Sequence, residues 1–129
     1  LCPTGWRIPS DQDWKELETT LGMPSSEIDL TGERGYNQSI GGKMKSLSLW
    51  DAPNSGASNS SGFNGLPAGI RNGVGDYMVK QQAGYFWSST SYATDNNYLW
   101  FRNVYYQATG IYRNYTLKHE GFSCRCVKD

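Results

Sequence analysis

Apolar residues fall at helical spacing near the start of the chain and at strand spacing near its end. Trp14, Leu17 and Leu21 recur every three or four residues, the period of one helix face. Ser10 precedes them, placed to accept from the Asp13 amide, and the acidic Asp11 and Asp13 suit a helix N-terminus. Gly22 and Pro24 stop the run. The pattern predicts an amphipathic helix over 11–21. Ile40, Met44 and Leu47 form a weaker helical stripe, which predicts a second helix over 36–46. Gly41-Gly42 inside it lowers helix propensity and marks close packing or a break.

The pattern then disappears. From 49 to 75 the chain is rich in Gly, Asn, Ser, Asp and Pro, the residues of turns and loops. So long an irregular stretch inside a domain is either functional or disordered. Phe63, Leu66 and Ile70 within it predict an ordered loop pinned to the core. After Gly84 the β-favouring residues cluster in short runs over 85–89, 98–105, 110–115 and 121–128, separated by turn-like breaks. Helices first and an antiparallel sheet afterwards make an α+β fold.

Composition narrows the function classes. The 129 residues suit a single domain over 1–129 with one core. Twelve Lys and Arg balance twelve Asp and Glu, which argues against nucleic acid as a partner, since phosphate binding needs a basic surplus. No apolar run is long enough to insert in a membrane. The chain lacks an initiator Met and reads as folded sequence from its first residues. It is therefore expected to be the C-terminal part of a longer precursor.

The aromatic residues change the picture more. Between Tyr85 and Tyr115 stand eleven aromatics and only three charged residues, Asp95, Arg102 and Arg113. A core does not need so many tyrosines, because a buried phenol must find a hydrogen-bond partner. Tyr, Asn, Ser, Gly and Arg at this density are the composition of a recognition surface. Trp87, Trp100, Phe101 and Phe122 are assigned to the core. Tyr105 and Tyr106 are adjacent, so on a strand they face opposite sides. Asn96, Asn97 and the run 112–115 are assigned to the surface.

Catalytic and metal chemistry finds little support. His119 is the only histidine, between Lys118 and Glu120 in an expected solvated turn, so no catalytic residue is assigned. Asp51, Asp76 and Asp95 are too few for a calcium-dependent sugar site. Cys124 and Cys126 with His119 fall short of a four-ligand zinc site. No cofactor and no metal are expected. Cys124 and Cys126, two apart on a strand, face the same side and are poorly placed to bond each other. Cys2 can therefore pair with either, closing a loop of about 100 residues or more and contributing roughly 4–5 kcal/mol in the chain-entropy model. Three reduced, buried thiols are the alternative.

A set of motifs carries a resemblance over essentially the whole chain. They are Cys2-Pro3-Thr4-Gly5-Trp6-Arg7-Ile8-Pro9, Asp13-Trp14, Gly41-Gly42-Lys43-Met44-Lys45, Gly62-Phe63 and Leu66-Pro67-Ala68-Gly69-Ile70-Arg71. Tyr85-Phe86-Trp87-Ser88-Ser89-Thr90 and Gly121-Phe122-Ser123-Cys124-Arg125-Cys126-Val127 follow. In this order they resemble the Fibrobacter succinogenes major paralogous domain, common in exported proteins of gut Bacteroidetes. The resemblance implies a C-type-lectin-like fold of the formylglycine-generating-enzyme and sulfatase-modifying branch. It implies two helices flanking a small antiparallel sheet, with adjacent termini. It also implies pairing of Cys2 with Cys126, leaving Cys124, where the family usually has Val, as a buried free thiol. The tail is similar to the variable regions of diversity-generating retroelement target proteins, in which adenine-directed mutagenesis alters selected codons. That resemblance makes Tyr92, Asp95, Asn96, Asn97, Tyr98, Arg102, Asn103, Tyr105, Tyr106, Tyr112, Arg113 and Tyr115 the candidate variable and ligand-binding positions.

The expected function is display: a non-enzymatic recognition or adhesion domain that presents the face of residues 92–115 to a protein or glycan ligand. The expected location is extracellular, on a cell surface as part of a lipoprotein or secreted precursor, or on a phage virion. An inert structural module is the second reading, favoured if the 92–115 tyrosines are mostly buried. A divergent enzyme of the formylglycine-generating type is the third, because that chemistry needs a reactive cysteine pair and these cysteines read as structural.

Overall fold

Ser10 starts the first helix, α1 (Asp11–Thr20), through reciprocal hydrogen bonds with Asp13. The Asp13 amide donates to Ser10 Oγ at 3.2 Å, and the Ser10 amide donates to the Asp13 carboxylate at 2.7 Å. These bonds satisfy amides that the helix itself leaves unpaired. The computed structural model describes residues 1–129. In it α1 is the one predicted helix that forms at nearly full length. Gly22, in the left-handed region at φ 103°, turns the chain away from it.

The second helix is shorter than the sequence pattern predicts. It is a five-residue turn, α2 (Ile40–Met44). Ser39 before it is left-handed at φ 51°, and Lys45 after it is extended. Leu47, predicted on its apolar side, is 69% exposed. The glycine pair explains the placement. A Cβ at Gly41 would lie 1.9 Å from the Gly110 carbonyl oxygen, and one at Gly42 would lie 2.1 Å from that of Gly56. The backbone of α2 is thus pressed directly against two loops, and the Gly42 amide donates to Thr109 O at 3.1 Å. Close packing is the role of this pair.

Four strands form the main antiparallel sheet: β2 (Gly32–Arg34), β5 (Ala83–Tyr92), β6 (Asp95–Tyr105) and β7 (Ile111–Leu117). Their order is β2-β7-β6-β5. Two-stranded pairs complete the strands: β1 (Trp6–Arg7) with β8 (Val127–Lys128), and β3 (Ile70–Arg71) with β4 (Tyr77–Met78). The fold is α+β, with two short helices and antiparallel sheets. The β1–β8 pair and a Cys2–Cys126 disulfide hold the termini together. Cys124 is the free thiol, half-buried, and burial pushes its pKa up.

The predicted last strand over 121–128 is mostly not a ladder. Gly121 and Ser123 make isolated bridges to Arg71 and Phe86 instead. The segment's role is cover: Phe122 stacks on Trp87 at 4.3 Å and lies against Tyr85 and Phe101. On the opposite side of the sheet, Trp14, Met23, Ile40, Met44, Phe86, Val104 and Ile111 form the core under α1 and α2.

The long loop is ordered, as its apolar residues predict. Phe63 packs on Trp14 and Phe86. Leu66, by contrast, is exposed. A buried lysine ties the loop down. Lys45 Nζ donates to the carbonyls of Ser55 at 2.7 Å and of Tyr105 and Ala108 at 3.0 Å. Burial draws its pKa down to about 8, and the three carbonyls supply the acceptors that water would have provided.

Candidate functional site

Alternation along β6 divides the candidate residues between two faces. Tyr98, Trp100, Arg102 and Val104 point toward α1. Leu99, Phe101, Asn103 and Tyr105 point the other way. Register carries this across the sheet: Trp100 lies opposite Tyr115, Arg102 opposite Arg113, and Asn103 opposite Tyr112. The twelve candidate positions therefore do not form one surface.

Three of them are interior. Arg102 is 0%, Arg113 6% and Asn103 8% exposed, which corrects their expected place on an open face. The cause for the arginines is α1, which turns Asp11 and Glu18 inward on the same side as Trp14. Arg102 donates to Glu18 at 2.6 Å and to Asp11 at 2.8 Å. Arg113 grips Asp11 through Nε at 3.0 Å and Nη2 at 2.7 Å. Arg34 of β2 grips Glu18 at 3.0 and 2.7 Å. Burial pushes the Asp11 carboxyl up, but the guanidinium groups of Arg113 and Arg102 outweigh it and leave it well below the usual range. Asn103 is covered by its neighbours in register, Tyr85 and Tyr112.

Six candidates gather at one end of the sheet, around the two-residue turn between Tyr92 and Asp95. Tyr92 and Tyr115 stack with centroids 3.6 Å apart and planes within 12°. Trp100 meets both edge-on at 5.4 Å, and Tyr98 meets Tyr115 at 6.2 Å. Trp100, assigned to the core from sequence, is half-buried and serves as the base of this cluster. The Arg113 guanidinium lies 3.6 Å from its ring centroid, a cation–π contact strengthened by desolvation. Asp95, Asn96 and Asn97 are exposed beside the rings, with the Asn97 amide turned back to Asp95 at 2.9 Å.

The remaining three, Tyr105, Tyr106 and Tyr112, lie toward the other end of the strands. Seven residues separate Tyr98 from Tyr105, which is roughly 24 Å along a strand. The rings of Tyr105 and Tyr106 meet edge-on at 5.1 Å, and both are half-buried. The Tyr112 hydroxyl donates to Glu33 at 3.2 Å. Burial and this carboxylate push its pKa up, so the phenol stays neutral. Of the six tyrosines among the candidates, Tyr115 is the most open, at 40% exposed, and the other five are half-buried.

The model of the Fibrobacter succinogenes major domain matches residues 1–128. The chain belongs to this family. No curated protein and no solved structure matches it.

The motifs that carried the resemblance serve the frame. Pro9, just before the Ser10 cap, ties the start of α1 to the sheet by accepting through its carbonyl from the Ser89 amide of the Trp-Ser-Ser-Thr run at 2.9 Å. Ser88 Oγ accepts from the Thr90 amide, and Thr90 Oγ1 accepts from the Asp11 amide. His119 sits in the exposed turn before Gly121, 3.4 Å from Glu120. Asp51 and Asp76 lie on separate loops and Asp95 begins β6, and no group of three His, Cys, Asp or Glu side chains converges. Sequence reasoning missed the inward carboxylates Asp11 and Glu18. It also missed the exposed Tyr36 and Tyr77, which lie outside the aromatic tract.

Proposed function

We propose that this domain is a non-enzymatic recognition module whose primary binding face is the end of the sheet around Tyr92, Tyr98 and Tyr115. The observation that carries the reading is the Tyr92–Tyr115 stack, based on Trp100, whose ring Arg113 in turn covers. Rings held in place before a ligand arrives contribute contact area at little entropic cost. The adjoining Asp95, Asn96 and Asn97 supply adaptable hydrogen bonds. This combination suits a protein or glycan ligand on a cell surface. A disulfide between the ends of the domain suits an oxidising, extracytoplasmic setting, and no helix is long and apolar enough to cross a membrane.

The test is selection of ligands from a printed glycan array and a displayed peptide library, repeated with two sets of variants. Tyr92→Ala with Tyr115→Ala is expected to weaken selected ligands about 30-fold or more, as loss of hot-spot residues does, with a melting temperature only slightly lowered. Tyr105→Ala, Tyr106→Ala and Tyr112→Ala together test the opposite patch; if only these lose binding, the face is misplaced. The half-burial of five of the six tyrosines favours a second reading, an inert structural module. That reading predicts no ligand from either selection.

The likeness to retroelement variable proteins gives a sharper test at the level of DNA. The interior roles of Arg102, Asn103 and Arg113 leave nine of the twelve candidate positions open to change. A template repeat beside a reverse transcriptase is expected to differ from the coding sequence at adenines within those nine codons and to match it at 102, 103 and 113. Differences concentrated at 102, 103 and 113 would sink this assignment.

A further inference from the structure

A concave site lies outside the aromatic tract, between α1 and the C-terminal segment. It is a cleft of about 210 Å³ walled by Pro9, Trp14, Leu17, Phe63 and Val127, with Asp13 and Arg125 among its polar lining. The walls are fixed. Trp14 Nε1 donates to Trp87 O at 3.4 Å. The Phe63 amide donates to Ser61 Oγ, and the ring is held edge-on to Phe86 at 5.2 Å.

The charges at the cleft are unequal. Asp13 is held by Arg7 through two hydrogen bonds and accepts two more from Ser10. Its negative charge is therefore matched. Arg125 is exposed and stands 5.0 Å from the Phe63 ring centroid. It takes part in none of the ion pairs or side-chain hydrogen bonds that tie down Arg7, Arg34, Arg102 and Arg113. The site thus combines an apolar floor with one uncompensated guanidinium at its edge.

We propose that this cleft binds a small apolar carboxylate, an aryl or short-chain acid, with its hydrocarbon on Trp14, Leu17 and Phe63 and its carboxylate on Arg125. Size supports the class: a dry cavity of about 150 Å³ accepts benzene, so the larger cleft holds one ring and a short acid arm. The planar fork of a guanidinium matches a carboxylate through two parallel hydrogen bonds. A phosphate dianion would call for more cationic donors than the cleft offers.

The experiment is a titration of the ¹⁵N-labelled chain with phenylacetate and, separately, with phenylacetamide, followed by NMR. Phenylacetate is expected to shift the Trp14 indole and the Leu17, Phe63 and Arg125 amides saturably, in the millimolar range set by so few heavy atoms. The amide, lacking the charge, is expected to bind about tenfold more weakly. Arg125→Gln is expected to bring the acid down to the level of the amide, and Leu17→Trp to fill the cleft and abolish both. Equal affinity of acid and amide for the unmodified chain would overturn the proposal. So would shifts that never saturate, or that map to residues 92–115 instead. The comparison of acid with amide decides the question even if a variant fails to fold.

Discussion

Glu18→Gln is expected to destabilise the domain by about 3–5 kcal/mol, the cost of stranding a buried charge, whereas Arg102→Met is expected to cost less. Three guanidinium groups, of Arg34, Arg102 and Arg113, meet two carboxylates, of Asp11 and Glu18, under α1. In Glu18→Gln one side-chain oxygen still accepts, but the other becomes an NH2 donor facing the guanidinium groups, so Arg34, which is fully buried, loses its counter-charge and keeps the Ile28 carbonyl and one amide oxygen as acceptors, with its Nε already without a partner. Taking away Arg102 leaves the pairs Arg34–Glu18 and Arg113–Asp11, so the charges balance. Urea unfolding of both variants measures the difference. A larger loss from Arg102→Met would show that its bridging of the two carboxylates matters more than the surplus charge.

The same network fixes the acid limit of stability. The folded pKa of Asp11 lies below its unfolded value of about 3.9. A depressed carboxylate contributes its full stabilisation above the unfolded value and loses it as pH falls toward the folded one. The melting temperature of the unmodified domain is therefore expected to decline on the acid side of roughly pH 4.

Few charges among many tyrosines is the composition of a binding loop, but it also arises when the charges pair inward. Arg102 and Arg113 have no carboxylate nearby in sequence; their partners stand 84 to 102 residues away on α1. One local signal was available. Asp11, Trp14 and Glu18 share a helix face at spacings of three and four, so a helix that buries Trp14 also turns two carboxylates inward. Strand alternation was equally legible and separates Tyr98 from Tyr105. Which end of the sheet stays open depends on where α1 and the segment 121–126 lie, and no local pattern encodes that. The capping box, the glycine pair and the hairpin strands were readable because each is decided within a few residues. The 121–126 segment was read as a strand because Phe122 and its neighbours are β-favouring; their burial as a lid on Tyr85, Trp87 and Phe101 is a tertiary outcome.

Cys2→Ser is expected to lower stability by about 5 kcal/mol in the chain-entropy model, because the bridge closes a loop spanning 124 positions of sequence. Little else holds the ends. The β1 and β8 strands pair over two residues each, Trp6 and Arg7 are exposed, and neither strand contributes to the core cluster. Substitution tests the bridge more cleanly than reduction, because it leaves a defined pair of thiols. Cys124 does not rescue the variant: it is two residues from Cys126, a poor spacing for a bond on extended chain, and burial raises its pKa and keeps it a thiol. Hydrogen exchange separates two accounts of the loss. If the bridge acts mainly on the unfolded chain, amide protection falls across the whole sheet, including Phe101 and Val104. If it acts by holding the ends in place, protection falls first at Arg7 and Val127 while the centre of β6 is spared. The short, exposed β1–β8 pair makes fraying of the ends the earlier event, and the drop in global stability sets the protection that remains in β6.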